Sequence, residues 1–169
     1  LYEHGLRIAR LIGRADDQVT FNPVVVDFYR TVGYLPHALI NYLLLLGWSL
    51  DDRTERFTPA EIIEQFSLER VNRAAASFDP RKLMAFQERY MQAQTERRRV
   101  ELTRPFLQRA GLLRSPVSPD AETVHAAVVR AAGDRIKVAG DILEYADFFG
   151  TGVEVEYDEK AFDKRIRRK

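Results

Sequence analysis

Residues Gly33–Ser49 read GYLPHALINYLLLLGWS. The apolar residues Leu35, Ala38, Leu39, Ile40, Leu43, Leu44, Leu45 and Leu46 are too dense for an ordinary surface helix, and a helix apolar nearly all round is one that neighbours must cover. The run is far shorter than the roughly 20 apolar residues needed to cross a bilayer. Gly33 can open the helix from a turn, Pro36 suits its first turn, and Gly47 can close it. The stretch therefore predicts the central buried helix of a soluble domain.

Upstream, Leu1–Gly13 carries Leu6, Ile8, Ala9, Leu11 and Ile12 at a roughly helical period. Asp16–Asn22 is polar and reads as a loop. Val24, Val25 and Val26 are β-branched and suit a short strand, before a helical turn from Asp27. Downstream, Thr58, Pro59 and Glu61 form a capping box ahead of a helix with Ile62, Ile63 and Phe66 on one side. Asp79-Pro80 repeats the device for a helix through Leu83, Met84, Phe86, Tyr90 and Met91. Pro105 should kink or divide the next helix, and Ser115–Pro119 is the most linker-like stretch. A helix is expected over Asp120–Ala132 and another over Asp134–Phe149, whose end two aromatics should seal. Val153–Tyr157 reads as extended, and Asp158 as the cap of a last basic helix. The fold class is all-α, mainly helical with at most one small strand pair, in two packed helical subdomains.

The 169 residues carry 46% apolar and 30% charged side chains and a formal net charge of +1. That is a globular composition, and it gives no overall electrostatic argument for a polyanionic partner. Arg97–Arg99 and the tail Lys164–Lys169 are locally basic, as solvated helix faces commonly are. With no cysteine, disulfides and thiolate chemistry are excluded, in keeping with a reducing cytoplasm. His4, His37 and His125 are scattered without ligand spacing, so no metal site is expected. No phosphate-cradling glycine loop occurs, and Asp16-Asp17 and Asp51-Asp52 read as solvated turns. No catalytic residue is assigned.

Four segments in order carry a resemblance. They are Gly33–Ser49, Phe57–Glu61 (FTPAE), Phe66–Val71 (FSLERV) and Phe78–Leu83 (FDPRKL). Together they closely resemble the region after the catalytic domain of bacterial glutamyl-tRNA synthetases. The resemblance implies a stem-contact domain over 1–92, with residues 1–20 as a helix-like insertion, and the first part of a helical anticodon-binding domain over 93–169. The parent would be a glutamate–tRNA ligase, which attaches glutamate to its tRNA using ATP. Neither the H-I-G-H-type turn nor the K-M-S-K-S-type loop of class I synthetases occurs here, so ATP and Mg would belong to a catalytic domain outside the chain, and the chain itself would hold no cofactor. The implied partner is glutamate tRNA, with no DNA, no membrane, a monomeric state and a cytoplasmic location. A helical protein-interaction module without an RNA role is the competing reading, mildly favoured by the near-neutral charge.

By the same resemblance, Lys82 matches the basic residue of a helix that approaches the inner corner of the tRNA. Ala85 stands where the family usually has tryptophan. Arg135, in Gly133-Asp134-Arg135-Ile136, matches the arginine that reads the third anticodon base, a cytosine in glutamate tRNAs. A slip in the alignment would bring Arg130 or Lys137 there instead.

Overall fold

The computed structural model describes residues 1–14, 21–73 and 76–150. Seven α-helices follow in order: α1 Tyr2–Leu11, α2 Val26–Val32, α3 Pro36–Gly47, α4 Pro59–Gln65, α5 Pro80–Gln92, α6 Glu96–Arg109 and α7 Pro119–Ala132. Three 3-10 segments accompany them, Leu68–Arg70, Gly133–Arg135 and Ala139–Phe149. The fold of the described residues is helical, as the apolar periodicity and the helix caps predict. Their one strand-like contact is an isolated antiparallel bridge between Trp48 and Val71.

The expected strand at Val24–Val26 is absent. Asn22 folds back on this segment, its side chain accepting the Val24 N–H and its carbonyl the Val25 N–H. This Asn-Pro turn overrides β propensity, and Val26 then opens α2. The valines stay outside, Val24 at 92% exposure.

The reading of α3 as buried all round is also corrected. Its buried residues are Ala38, Asn41 and Tyr42, which form a stripe against its main packing partner, α5. Ile40 and Leu43 are exposed and Leu44–Leu46 half-buried. Gly33, just upstream, has φ +95°, and a Cβ there would lie 2.8 Å from the Phe106 ring and 2.9 Å from Ala139. Only glycine fits that conformation and that approach. The contact joins the two halves of the chain, because the Gly33 carbonyl accepts the Ala139 N–H at 3.0 Å.

Local signals hold where they concern helix starts. Thr58 and Glu61 make the reciprocal capping box of α4 and Asp79 caps α5, whereas Ser118 and Pro119, read as the end of a linker, cap and open α7. No residue of α4 is buried, and Ile63 and Phe66 are exposed. Other expectations fail. Pro105 does not divide α6, which runs to Arg109 with the proline on its exposed side. Asp134–Phe149 is not one helix. The Asp141 carboxylate accepts the N–H groups of Lys137 and Val138 at 2.8 and 3.0 Å, which starts a new helical segment and leaves Ile136–Val138 extended between two 3-10 pieces. At its end Phe149 packs edge-on to His125, but Phe148 is 66% exposed, so one aromatic seals it rather than two.

One core spans the described chain. Ala139–Phe149 packs on α1, α2, α6 and α7, and a Cβ on Gly140 would lie 2.7 Å from both Ile8 and the Val32 carbonyl. Burying a side chain such as Ile8 contributes about 1.5–3 kcal/mol, so α1 is bound into the core and not appended to it. The predicted Asp158 cap, the Val153–Tyr157 strand, the basic tail and most of the Asp16–Asn22 loop lie outside the described residues.

Candidate nucleic-acid interface

Lys82 stands on α5, whose start is fixed twice. Asp79 accepts the Arg81 N–H at 2.8 Å, and the Tyr42 hydroxyl accepts the Asp79 N–H at 2.7 Å while donating to the Asp79 carbonyl at 3.1 Å. With Leu83, Phe86, Gln87 and Met91 buried, Lys82, Ala85 and Arg89 are left exposed. Ala85 faces solvent, so its small side chain opens no cavity. Lys82 Nζ lies 3.8 Å from one oxygen of Glu55, and Arg89 lies 3.9 Å from the other. Exposed pairs of this kind contribute about 0–1 kcal/mol, so a phosphate can displace Glu55 at little cost.

The loop that carries Glu55 is tied down by Asn41. Its amide donates to the Glu55 carbonyl at 2.8 Å, and its oxygen accepts the Phe57 N–H at 2.8 Å and the Tyr90 hydroxyl at 2.7 Å. Asn41 is wholly buried. A polar residue inside a leucine run is the sequence signal for such a network, since buried polar groups require partners. Those partners lie 14 to 49 residues away and leave no local pattern.

Arg135 ends the 3-10 turn after α7 and is exposed. Its Nε donates to the Ala132 carbonyl at 3.2 Å and one terminal nitrogen to the Ala131 carbonyl at 2.8 Å. The guanidinium therefore caps the C-terminus of α7, which suits a cation. Its two neighbouring candidates are held by carboxylates. Arg130 forks onto Glu96 at 2.8 and 2.9 Å, which holds the Glu96 carboxyl below its ordinary range. Lys137 meets Glu88 at 2.6 Å, which raises the lysine's pKa. Of the three, Arg135 is the one without a carboxylate partner among the described residues.

Gln87 connects the two regions, and sequence reasoning missed it. Fully buried, it accepts the Leu35 N–H and donates to the Lys137 carbonyl, both at 2.8 Å. Lys82 and Arg135 are not brought into contact. They stand on two elements that this one amide locks together. A second cluster unites His4, Asp141 and Glu144, residues too far apart in sequence for spacing to reveal. His4 bonds Asp141 at 2.6 Å, Asp141 also caps Lys137 and Val138, and Glu144 pairs with Arg7. These carboxylates already have partners, and the cluster ties α1 to the Ala139–Phe149 segment. No helix among the described residues is long and apolar enough to cross a membrane.

A helical body with basic side chains on its surface is common to many proteins, and sequence similarity narrows the class. Residues 20–85 match the family model described as tRNA synthetases class I (E and Q), catalytic domain. The relatives are more particular. A glutamate–tRNA ligase of Moorella thermoacetica is 41% identical over 143 residues, 85% of this chain and 29% of that protein. That of Roseiflexus castenholzii is 34% identical over 160 residues, 95% of this chain and 31% of the relative. The solved glutamate tRNA ligase of Elizabethkingia meningosepticum, in complex with its amino acid, superposes with a TM-score of 0.62 at 30% identity, covering 82% of this chain and 26% of that one. The relatives of this chain are thus glutamate–tRNA ligases, class I aminoacyl-tRNA synthetases, and it spans less than a third of their length. The matched family range carries the description of the catalytic domain, which differs from the stem-contact domain expected for residues 1–92 and from the expectation that the catalytic domain lies wholly outside the chain.

Proposed function

We propose that this chain is the tRNA-binding middle region of a glutamate–tRNA ligase, with residues 1–92 gripping the tRNA stem and 93–169 forming the first part of a helical anticodon-binding domain. The observation that carries the proposal is 41% identity over 85% of the chain to a glutamate–tRNA ligase. The geometry supports it. Aminoacylation needs the acceptor end held at one place and the anticodon read at another, and packed helices keep side chains in fixed relation better than loops do. Lys82 and Arg89 would grip phosphates, which orients RNA without reading it, whereas Arg135 would read an unstacked base on its edge. Glutamate activation with ATP and Mg would lie outside these residues, because neither the H-I-G-H-type turn nor the K-M-S-K-S-type loop of class I synthetases occurs in the sequence.

Fluorescence anisotropy of the purified chain against glutamate tRNA tests the proposal. Binding should be weak, salt-dependent and stronger for glutamate tRNA than for a tRNA with an unrelated anticodon, while glutamate-dependent pyrophosphate exchange stays at background. Equal binding to both tRNAs would remove the anticodon role, and exchange above background would place catalytic residues within the chain.

A further inference from the structure

Asp141 and Glu144 stand three residues apart in the 3-10 segment Ala139–Phe149, a spacing that eclipses side chains in such a helix and sets both carboxylates on one face. His4 and Arg7, three apart on α1, meet them as two rungs. His4 Nε2 lies 2.6 Å from Asp141 Oδ1, and Arg7 pairs with Glu144. One nitrogen of His4 and one oxygen each of Asp141 and Glu144 all lie within 4.8 Å of one another. Asp141 is buried, and its other oxygen accepts the Lys137 and Val138 N–H groups. Those bonds fix the direction of the first oxygen, as outer partners do for a metal-ligating carboxylate. Glu144 is exposed and His4 half-buried, so the cluster is open to solvent on one side.

We propose that His4, Asp141 and Glu144 form a zinc site that fastens α1 to the Ala139–Phe149 segment. The proposal does not depend on the ligase reading above. An imidazole nitrogen with two carboxylates is a donor set that zinc accepts, with water as the fourth ligand, whereas magnesium and calcium take oxygen ligands. Ligands about 2.0–2.2 Å from zinc stand roughly 3.3–3.6 Å apart in a tetrahedron, so His4 and Asp141 part by about 1 Å and the exposed Glu144 side chain swings in to join them. The ion replaces the proton between His4 and Asp141 and the Arg7 guanidinium on Glu144. Arg7 marks the place as one that already holds a cation, and an exposed pair of that kind is weak enough to yield. The ligands come from residues up to 140 positions apart, 137 for His4 and Asp141, so no spacing motif announces the site. Because Asp141 also caps Lys137 and Val138, the ion steadies the junction that follows Arg135.

Zinc titration of the purified 169-residue chain in competition with a chromophoric chelator tests the site. One zinc should bind per chain, and X-ray absorption should show one imidazole in a shell of nitrogen and oxygen. His4→Ala and Glu144→Gln should each weaken binding by at least about tenfold, since even an outer partner of a ligand is worth about 10–100-fold. Arg7→Gln should strengthen binding severalfold by removing the competing cation. His37→Ala, at an exposed position of α3, should change nothing. Zinc should also raise the urea midpoint of the native chain and not that of His4→Ala. A native chain that binds no zinc overturns the proposal, as does binding that survives His4→Ala or is lost with His37→Ala. If circular dichroism shows His4→Ala unfolded, Arg7→Gln decides, because it keeps the His4–Asp141 contact. Tighter binding in that variant upholds the site, and unchanged or weaker binding overturns it.

Discussion

Gln87 on α5 donates from its side-chain amide to the Lys137 carbonyl at 2.8 Å while accepting the Leu35 N–H at the same distance. A single buried side chain thereby holds the start of α3, the helix bearing Lys82 and the junction bearing Arg135. Replacing it with leucine keeps the volume and orphans both backbone groups, each at a cost of about 1–3 kcal/mol. Gln87→Leu should lower unfolding stability by roughly 2–4 kcal/mol in urea, with fluorescence and circular dichroism following one transition. An unchanged midpoint would show that the amide does not couple the two halves.

His125 is fully buried between α6 and α7 and bonds Thr103 at 2.8 Å. Burial pushes its pKa down to about 4 from 6.5, with Glu122 opposing the shift and Arg104 adding to it. The unfolded chain therefore binds the extra proton first. Stability from this group is complete above about pH 6.5 and is lost as pH falls towards 4, on the order of 2–3 kcal/mol in all. Urea midpoints across that range should fall more steeply for the native chain than for His125→Gln, which has nothing to titrate there. Parallel curves would remove His125 as the cause.

Much of the helical framework was legible, because caps are local. Thr58 with Glu61 and Asp79 with Pro80 start helices where the sequence says they should. What escaped depends on distant residues. The leucine density of α3 suggests all-round burial, yet only its Ala38, Asn41 and Tyr42 side has a substantial partner. The break between Arg135 and Ala139 comes from Asp141, whose capping role competes with the helical period of Ile136, Val138 and Ile142. Gln87 reads as an ordinary polar helix residue until Leu35 and Lys137, 52 and 50 positions away, are folded against it. Lys82 and Arg135 came from family resemblance, and no periodicity could have singled them out.

Glu55 sits between Lys82 and Arg89 and restrains both. Glu55→Gln should strengthen binding of the chain to tRNA a few-fold at low salt. Lys82→Gln should weaken it for all tRNAs alike and reduce the slope of log affinity against log salt by about 0.7–1. A Lys82→Gln chain with the native slope would show that no phosphate reaches this lysine.

Arg135→Gln, placed in a full-length ligase containing this chain, should weaken glutamylation of tRNA whose anticodon ends in cytosine by about 1–3 kcal/mol and alter discrimination against guanine there. Because Arg135 also caps Ala131 and Ala132, the stability of the same variant is read in parallel. A loss of stability with unchanged cytosine preference would assign the arginine to the helix end alone.

The central claim is that these residues position glutamate tRNA within a ligase, and charging by a hybrid enzyme tests it most directly. This chain is exchanged for the matched 143-residue segment of the Moorella thermoacetica ligase, and glutamate incorporation into tRNA is measured with and without Arg135→Gln and Lys82→Gln. The account predicts charging of glutamate tRNA well above background, reduced by each substitution, with glutamate activation less affected than charging. A folded hybrid that activates glutamate but transfers none to tRNA, or that charges equally well with both basic residues removed, would contradict it.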